Sequence, residues 1–467
     1  MICLKNPLQP ANRLPPELIA LCATFVSCTD PRPVITLTHI CRYWRGVLIS
    51  SHRNWAGIST GWKRLIPLCL ERAGVVPLTV NISVSDIRKD WDPLQPLLPH
   101  VSRISDLTLT GHSAMKDVAD NLPGFFSPMP NLTSLKLERT VETVGSFPPN
   151  ETPVPPLFQN ISKLKTLHLT SVPLYPTLLK IPSLAELTLT NYKIPFRKFV
   201  QFLESNTALE IVTLKLRFVN GSVSTVPERM VSLPRLRHLA FTCANAIDTK
   251  GLFSWLSFPR GVTIEIRVSH ENRCSELASF LPCPPTPIRE LLAPMTTIKY
   301  RVNPTEIHLS GNNGSFHFCT WRTLPTDYKE FDLFSTGAVR EFHLTPSGHT
   351  SIAGHLDLAL KRLPALEALV ISRTSLYSEP LLTLYSEPLS CQSPKTIAFF
   401  DCWISRELIA ALERIAVKRE HSTTARLHRV VIMGDKEEPP EFSSIRQLRK
   451  HVPHVDVMMG SELPYLL

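Results

Sequence analysis

The sequence predicts an α/β protein. Three short helices near the N-terminus precede an irregular solenoid of repeats, with a parallel sheet on its concave side and helices and loops outside. Three observations lead there. A phrase of spaced leucines recurs from about residue 100 onward. Proline is abundant, 42 residues against 17 glycines, in a chain that is 43% hydrophobic, so it acts as punctuation between elements and does not mark disorder. Residues 12 to 56 carry apolar side chains at helical spacing. At 467 residues the chain exceeds one compact core and implies several domains or one elongated array.

Residues 12–57 read as three short helices. Asn12 caps the first, and Pro15 and Pro16 fall in its opening turn, where a missing N–H costs nothing. Leu18, Ile19, Cys22, Phe25 and Val26 come next, at spacings that place them on one face. Residues 29–33 break the chain. A second helix begins at Val34 and runs through Ile40 into Cys41 and on to Leu48, and Trp55 closes the segment. A core of two tryptophans and a dozen or so aliphatics is marginal alone. Such a unit completes its core against something else.

Leu14-Pro15-Pro16-Glu17-Leu18-Ile19, then Ile40-Cys41-Arg42-Tyr43-Trp44-Arg45, then Trp55, resembles the F-box. This is the three-helix segment by which many eukaryotic proteins dock on the Skp adaptor of cullin-based ubiquitin ligases. Asn54-Trp55 stands where Leu-Trp is usual, and the proline-rich break at 31–33 is long for the family. The stretch from Trp62 to Gly74, continued by Pro77-Leu78-Thr79-Val80, is similar to the segment C-terminal to the box in F-box proteins of mushroom-type (basidiomycete) fungi. There it leads into a leucine-rich-repeat-like body. Residues 62–73 read as a helix ended by Gly74, and 78–84 as a strand. The resemblance implies adaptor-binding roles for Leu14, Pro15, Glu17, Leu18, Ile19, Leu37, Ile40 and Trp44.

The body repeats Leu-x-x-Leu-x-Leu. It starts at Ile104, Leu132, Leu164, Leu184, Leu209 and Leu236, and returns at Val339, Leu366 and Leu427, with fainter strands at 262–268, 305–310 and 396–400. Spacing of about 20 to 35 residues is near that of leucine-rich repeats. One repeat cannot bury its row of leucines, so neighbours stack. Prolines precede the phrases at Pro130, Pro182, Pro234 and Pro364. The Asn that usually comes after the last leucine is missing, which makes the horseshoe irregular, least regular near 270–335. Four segments result: a tail at 1–11, an F-box at 12–57, a connecting helix and first strand at 58–100, and a degenerate repeat domain at 101–467. The duplication of Leu376–Leu381 at Leu384–Leu389 reads as a tolerated surface loop.

Between the inward leucines, Thr108, Ser134, Lys136, Glu138, Thr166, His168, Thr188, His238, His308, Glu341 and His343 face the concave side. Lys136, Thr166, His168, Thr188, His238 and His343 are the candidates for holding a target protein. Threonine also favours strands for its own sake.

Other chemistry finds little footing. The formal charge of +10 is spread along the chain, and its one tight cluster, Lys418-Arg419, reads as a solvated helical face, so no nucleic-acid partner is expected. Eleven cysteines without a C-x-x-C pair match no metal site. Cys22, Cys28, Cys41 and Cys69 read as small hydrophobes. Gly311 to Ser315 reads as a turn, and Cys402-Trp403 as core. Catalytic residues, metals and cofactors are all expected to be absent. Without a signal peptide or an apolar run of membrane length, the expected location is cytoplasmic, nuclear or both. The expected function is the substrate-recruiting subunit of an SCF-type (Skp–cullin–F-box) ligase, itself not an enzyme, which meets the cullin-RING machinery through the adaptor. A scaffold or repeat-type interaction module without a ubiquitination role remains the alternative. A hydrolase or transferase with a dispersed site would need convergent titratable groups.

Overall fold

The structure is a computed structural model and describes residues 13–27, 32–87, 90–112, 114–140, 161–172, 180–219, 230–243, 246–268, 277, 280–282, 287–301, 305–311, 314–320, 336–345, 353–372, 394–402, 406–420, 426–434 and 442–459. The 1–11 tail, Asn12, Cys28, the 29–31 part of the first break, Trp403 and the duplicated segment lie outside the described residues. The protein is α/β, its sheet mostly parallel, and it divides into two compact units, Met1–Val219 and Asn220–Leu467. Among the described residues no helix is long and apolar enough to cross a membrane.

The first unit opens with α1 (Pro16–Ser27), α2 (Arg32–Thr38) and α3 (Arg42–Ser50), packed on one another and on a 3-10 turn at His52–Trp55. The continuous helix expected from Val34 to Leu48 is broken. His39 and Ile40 donate to the carbonyls of Thr36 and Leu37. Cys41 then takes an extended backbone and caps α3, its Sγ accepting from the Trp44 N–H at 3.5 Å. Cys41 is therefore a cap, not a core side chain, and His39 shares no helix with it. Ile19, Ala23, Val34, Trp44, Leu48 and Trp55 are buried. The Trp55 indole N–H donates to Leu48 O at 2.8 Å, and the Arg72 guanidinium lies 4.3 Å over its ring.

The next stretch departs from a single helix at 62–73. A 3-10 turn over Thr60–Leu65 kinks at Trp62, and α4 (Ile66–Ala73) begins there with Pro67 in its first turn. Gly74, at φ +55°, ends it in a left-handed conformation that a side chain would resist. The His52 ring Nδ1 donates to Arg72 O at 2.6 Å, and Arg32 stacks 4.4 Å over Trp62. Helices and sheet are also continuous in hydrogen bonding. Thr79 N donates to Ala56 O at 3.0 Å, and β1 (Gly57–Ser59) pairs with β2 (Leu78–Ser83).

From β2 the sheet grows in chain order through β3 (Ile104–Thr110), β4 (Ser134–Glu138), β5 (Thr166–Thr170), β6 (Glu186–Pro195) and β7 (Ile211–Val219), every pair parallel. Register aligns Val80, Leu107, Leu135, Leu167, Leu187 and Val212 in one buried rung, and Ile82, Leu109, Leu137, Leu169, Leu189 and Leu214 in the next. The connections between these parallel neighbours include α5 (Val84–Ile87), α6 (Ala114–Asn121) and α7 (Phe196–Ser205).

The prolines have a definite place. Before β4, β5, β6 and β7 a β-turn closes from residue i to i+3: Leu132 to Met129, Leu164 to Ile161, Leu184 to Ile181 and Leu209 to Asn206, at 3.0–3.3 Å. Pro130 and Pro182 stand at i+1, where a fixed φ helps and no N–H is needed. Three residues other than glycine take positive φ: Ser171 (56°) directly after β5, and Asn191 (53°) within β6 and Asp401 (52°) within the later strand Thr396–Cys402, both where the strand register shifts. Asn and Asp tolerate this conformation better than other side chains.

In the second unit a short ribbon pairs β8 (Val231–Ser232) with β10 (Leu256–Ser257). The main sheet runs β9 (His238–Cys243), β11 (Val262–Val268), β14 (Gly314–Thr320), β13 (Thr305–Gly311), β12 (Thr297–Arg301), β15 (Glu341–Thr345), β16 (Ala368–Ser372), β17 (Thr396–Cys402), β18 (Arg429–Gly434) and β19 (His454–Met459). Two pairs, β12–β13 and β13–β14, are antiparallel, so the sheet is not wholly parallel. They fill the stretch expected to be least regular. Gly311 and Gly314 bound the β13–β14 connection, and a Cβ on Gly314 would collide with the Val262 carbonyl. Among the described residues the remaining α-helices are α8 (Ala246–Trp255), α9 (Pro287–Leu292), α10 (Ala353–Arg362), α11 (Arg406–Glu420) and α12 (Phe442–His451), with α11 packed on α12.

Lys418 is exposed, but the cluster it forms with Arg419 is not a solvated face, because Arg419 is only 3% exposed. Its Nη1 donates to Pro394 O at 3.2 Å, and burial pulls its pKa down to about 10. A base depressed on folding costs stability at neutral pH, and the cost fades as pH rises above about 10. That penalty is on the order of 2–3 kcal/mol. Arg419→Met keeps the packing stem and removes the charge. It is expected to raise the thermal midpoint at neutral pH by about 2–4 °C, measured by calorimetry; an unchanged or lower midpoint counts against the cost assigned to Arg419.

Candidate functional site

Two kinds of surface stand out. The first is apolar. Among the described residues twelve large hydrophobic side chains are exposed, and seven of them, Leu14, Leu18, Leu21, Phe25, Ile40, Tyr43 and Ile49, belong to the N-terminal helices and their flanks. Helix α1 is apolar on two sides. Ile19 and Ala23 turn into the bundle, while Leu18, Leu21 and Phe25, at i, i+3 and i+7, form an outer stripe on which Phe25 is 76% exposed. Leu18 and Phe25 thus do not share a face with Ile19, because residues one apart on a helix point about 100° away from each other. The Tyr43 hydroxyl donates to Leu14 O at 3.1 Å and brings the start of α3 beside the start of α1.

The sequence candidates divide accordingly. Leu14, Pro15, Glu17, Leu18 and Ile40 are exposed, Leu37 is half-buried, and Ile19 and Trp44 lie in the internal core. Leu21, Phe25, Tyr43 and Ile49 were not among the candidates. Asn54, buried beside this bundle, accepts from the Thr24 hydroxyl at 2.8 Å and leaves its Nδ2 unbonded.

The second kind of surface is the polar face of each sheet. In the first unit Lys136, His168 and Thr188 stand on one rung, between Thr108 and Thr213, and Thr166 stands on the next rung between Ser134 and Glu186. Glu186, not singled out from the sequence, draws two candidates together. Its carboxylate lies 3.4 Å from His168 Nε2 and 3.5 Å from the Thr166 hydroxyl. The signal was available, since Glu186 occupies the same place in its phrase that Thr166 occupies in the preceding one. Lys136 pairs with Glu138 at 2.9 Å.

In the second unit His238 and His343 share a sheet but not a rung. His238 aligns with Thr263, whereas His343 aligns with Lys299 and through it with His308, His317 and Glu265. Sequence reasoning missed Glu265, Lys299 and His317, which lie in strands without the leucine phrase. Beyond His343 the same rung turns apolar. Val370, Ala398 and Val431 are buried there, with Phe400 and Met433 packed against them, so the polar strip does not run the length of the unit.

Two thiols are held back from ionisation. Burial pushes Cys69 up to about 11 against the opposing pull of Arg72, and burial, then Glu306, raises Cys319. Among the described residues no group of three His, Cys, Asp or Glu side chains is placed to hold a metal ion.

Fold and surfaces together define an α/β protein with a mostly parallel sheet and surfaces of two opposite characters, one apolar and one polar. No protein-family model matches the chain, and no curated protein matches it.

The two sides of α1 should separate in stability measurements. Ile19→Ala is expected to lower unfolding stability by about 2–4 kcal/mol, whereas Leu21→Ser or Phe25→Ser changes it by less than about 0.5 kcal/mol. Denaturant titration of the three variants checks this, and a large loss for Phe25→Ser would mean that the stripe is covered within the chain.

Proposed function

We propose that this chain is the substrate-recruiting subunit of an SCF-type ubiquitin ligase, with residues 12–57 as its F-box and 101–467 as a leucine-rich-repeat-like solenoid that holds a target protein. The observation that carries the reading is the concentration of exposed apolar side chains on α1–α3 and their flanks, in the segment whose residues resemble the F-box. Exposed patches of this kind mark surfaces for other proteins. Each large side chain that an adaptor removes from water contributes roughly 1.5–3 kcal/mol before the costs of association.

In this reading Leu14, Pro15, Leu18 and Ile40 meet the adaptor with Leu21, Phe25 and Tyr43 beside them. Ile19 and Trp44 act from within, by fixing the helices that present the outer stripe. The target is held on the polar faces of the repeat strands, where Lys136, Thr166, His168, Thr188, His238 and His343 stand. Ubiquitin transfer is carried out by the other subunits of the cullin-RING ligase. The contribution of this chain is proximity, because tethering raises the local concentration of target lysines to about the millimolar range. The setting is cytoplasmic, nuclear or both.

Co-purification with the Skp adaptor tests the docking half. The double variant Leu14→Ala with Pro15→Ala removes two exposed groups and should keep the circular dichroism of the parent. It is expected to weaken adaptor binding by about tenfold or more. Unchanged co-purification would rule out docking through this surface.

A further inference from the structure

The titratable groups of the second unit are densest where β11, β14, β13, β12 and β15 lie side by side. One rung reads Glu265, His317, His308, Lys299, His343 across these five strands. Arg267, Cys319, Glu306 and Arg301 occupy the rung on one side, and Glu341 belongs to the rung on the other.

The carboxylates of this patch are already matched. Glu265 lies 2.6 Å from Arg267 Nε and 3.5 Å from His317 Nδ1. Glu306 pairs with Arg301 at 3.2 Å. Glu341 lies 2.7 Å from His343 Nε2 and accepts from the Thr297 hydroxyl at 3.2 Å. Two groups are left over. Among the described residues neither the Lys299 ammonium nor the His308 imidazole has a side-chain hydrogen bond or ion pair, and they stand directly opposite each other in the β12–β13 register. Opposed side chains of an antiparallel pair start about 5 Å apart, close enough for one small ligand group to touch both.

We propose that Lys299 and His308 form a seat for a carboxylate on an acidic segment of a partner protein. Among the described residues of this patch, Lys299 is the cation that no carboxylate pairs with. The donors left free are one ammonium and one imidazole N–H, one for each oxygen of a carboxylate. A phosphate would call for a guanidinium fork, and both arginines of the patch are already engaged by glutamates.

Protons should accompany the ligand. Burial first, then His317 and Lys299, lower the pKa of His308, so its ring is neutral in the free protein at neutral pH. Burial lowers His343 as well, with Glu341 opposing and Lys299 adding to the fall. A bound carboxylate raises the pKa of His308. Binding then takes up a proton and tightens as pH falls. The seat gives a partner chemistry to the target-binding half of the proposed function, and rests on that reading for the partner being a recruited target.

Fluorescence anisotropy on the full chain tests the seat with three peptides: a Glu-rich decapeptide, its Gln counterpart, and an otherwise uncharged phosphoserine peptide. The Glu-rich peptide should bind and the Gln peptide should not, with tightening of about threefold or more between about pH 7.5 and pH 6. Lys299→Gln should weaken binding about tenfold or more, Lys299→Arg should keep most of it, and His308→Gln should abolish the pH response. Equal binding of Glu and Gln peptides, indifference to Lys299→Gln, or selective retention of the phosphoserine peptide each overturns the seat. Adaptor co-purification measured on the same preparations separates the two claims. Loss of the adaptor with the Glu-rich peptide still bound overturns the docking reading alone, and the reverse overturns the seat alone.

Discussion

A strand with an aliphatic side chain at every second position has one face that must leave water and one that need not. The organisation of both units depends on where the first face goes. No single strand can cover its own row, so each rung of leucines is closed by the rung beside it. Register obeys the same demand, since a slip of one residue would carry every leucine to the polar side. The buried rungs through Leu107, Leu135, Leu167 and Leu187 and through Leu109, Leu137, Leu169 and Leu189 are continuous for that reason. The β-turns before β4, β5, β6 and β7, two of them with proline at the second position, restart these strands so that the rungs meet.

The N-terminal helices depart from that economy. A helix that is apolar on one side would be satisfied by the bundle, yet α1 carries a second stripe that the bundle leaves in water. Exposed Phe25 and Leu21 bring no stability to the folded chain, so their presence points outward. Behind them Trp55, clasped between Leu48 O and the Arg72 guanidinium, and the β1–β2 pairing join the helices to the sheet. In the proposed function this gives the docking stripe a fixed base.

The polar faces are governed by electrostatic matching. Ion pairs on a half-exposed face contribute little to stability, and their main consequence is to leave few unmatched groups. On the first unit Glu186 takes up both Thr166 and His168. On the second, Glu265 and Glu306 pair with arginines and Glu341 with His343 around Lys299 and His308. Where the same rung turns to Val370, Ala398 and Val431, its chemistry changes from polar to apolar within one strand spacing.

Much of the architecture was legible in the residues. The spaced-leucine phrase located β3 to β7, β9, β15, β16 and β18, because its signal is local and regular. Strands β1, β8, β10, β12, β14 and β19 escaped, although Phe316 and Phe318 alternate after a glycine pair, because none of them carries that phrase. Helix α1 was legible as a helix, and both Leu18 and Ile19 as apolar. Which of them faces inward was not, because neighbours on a helix differ only in direction and the bundle chooses between directions. The buried Arg419 was indistinguishable from the solvated Lys418 for the same reason. By itself the sequence determined the short-range features that a local pattern carries: the strands of the leucine phrase, the proline turns before β4 and β6, and which side chains are apolar. Only the tertiary structure decided which residues from distant strands share a rung, such as Glu265, His317, His308, Lys299 and His343, because strand order and register are set by long-range pairing and burial, which no local pattern contains.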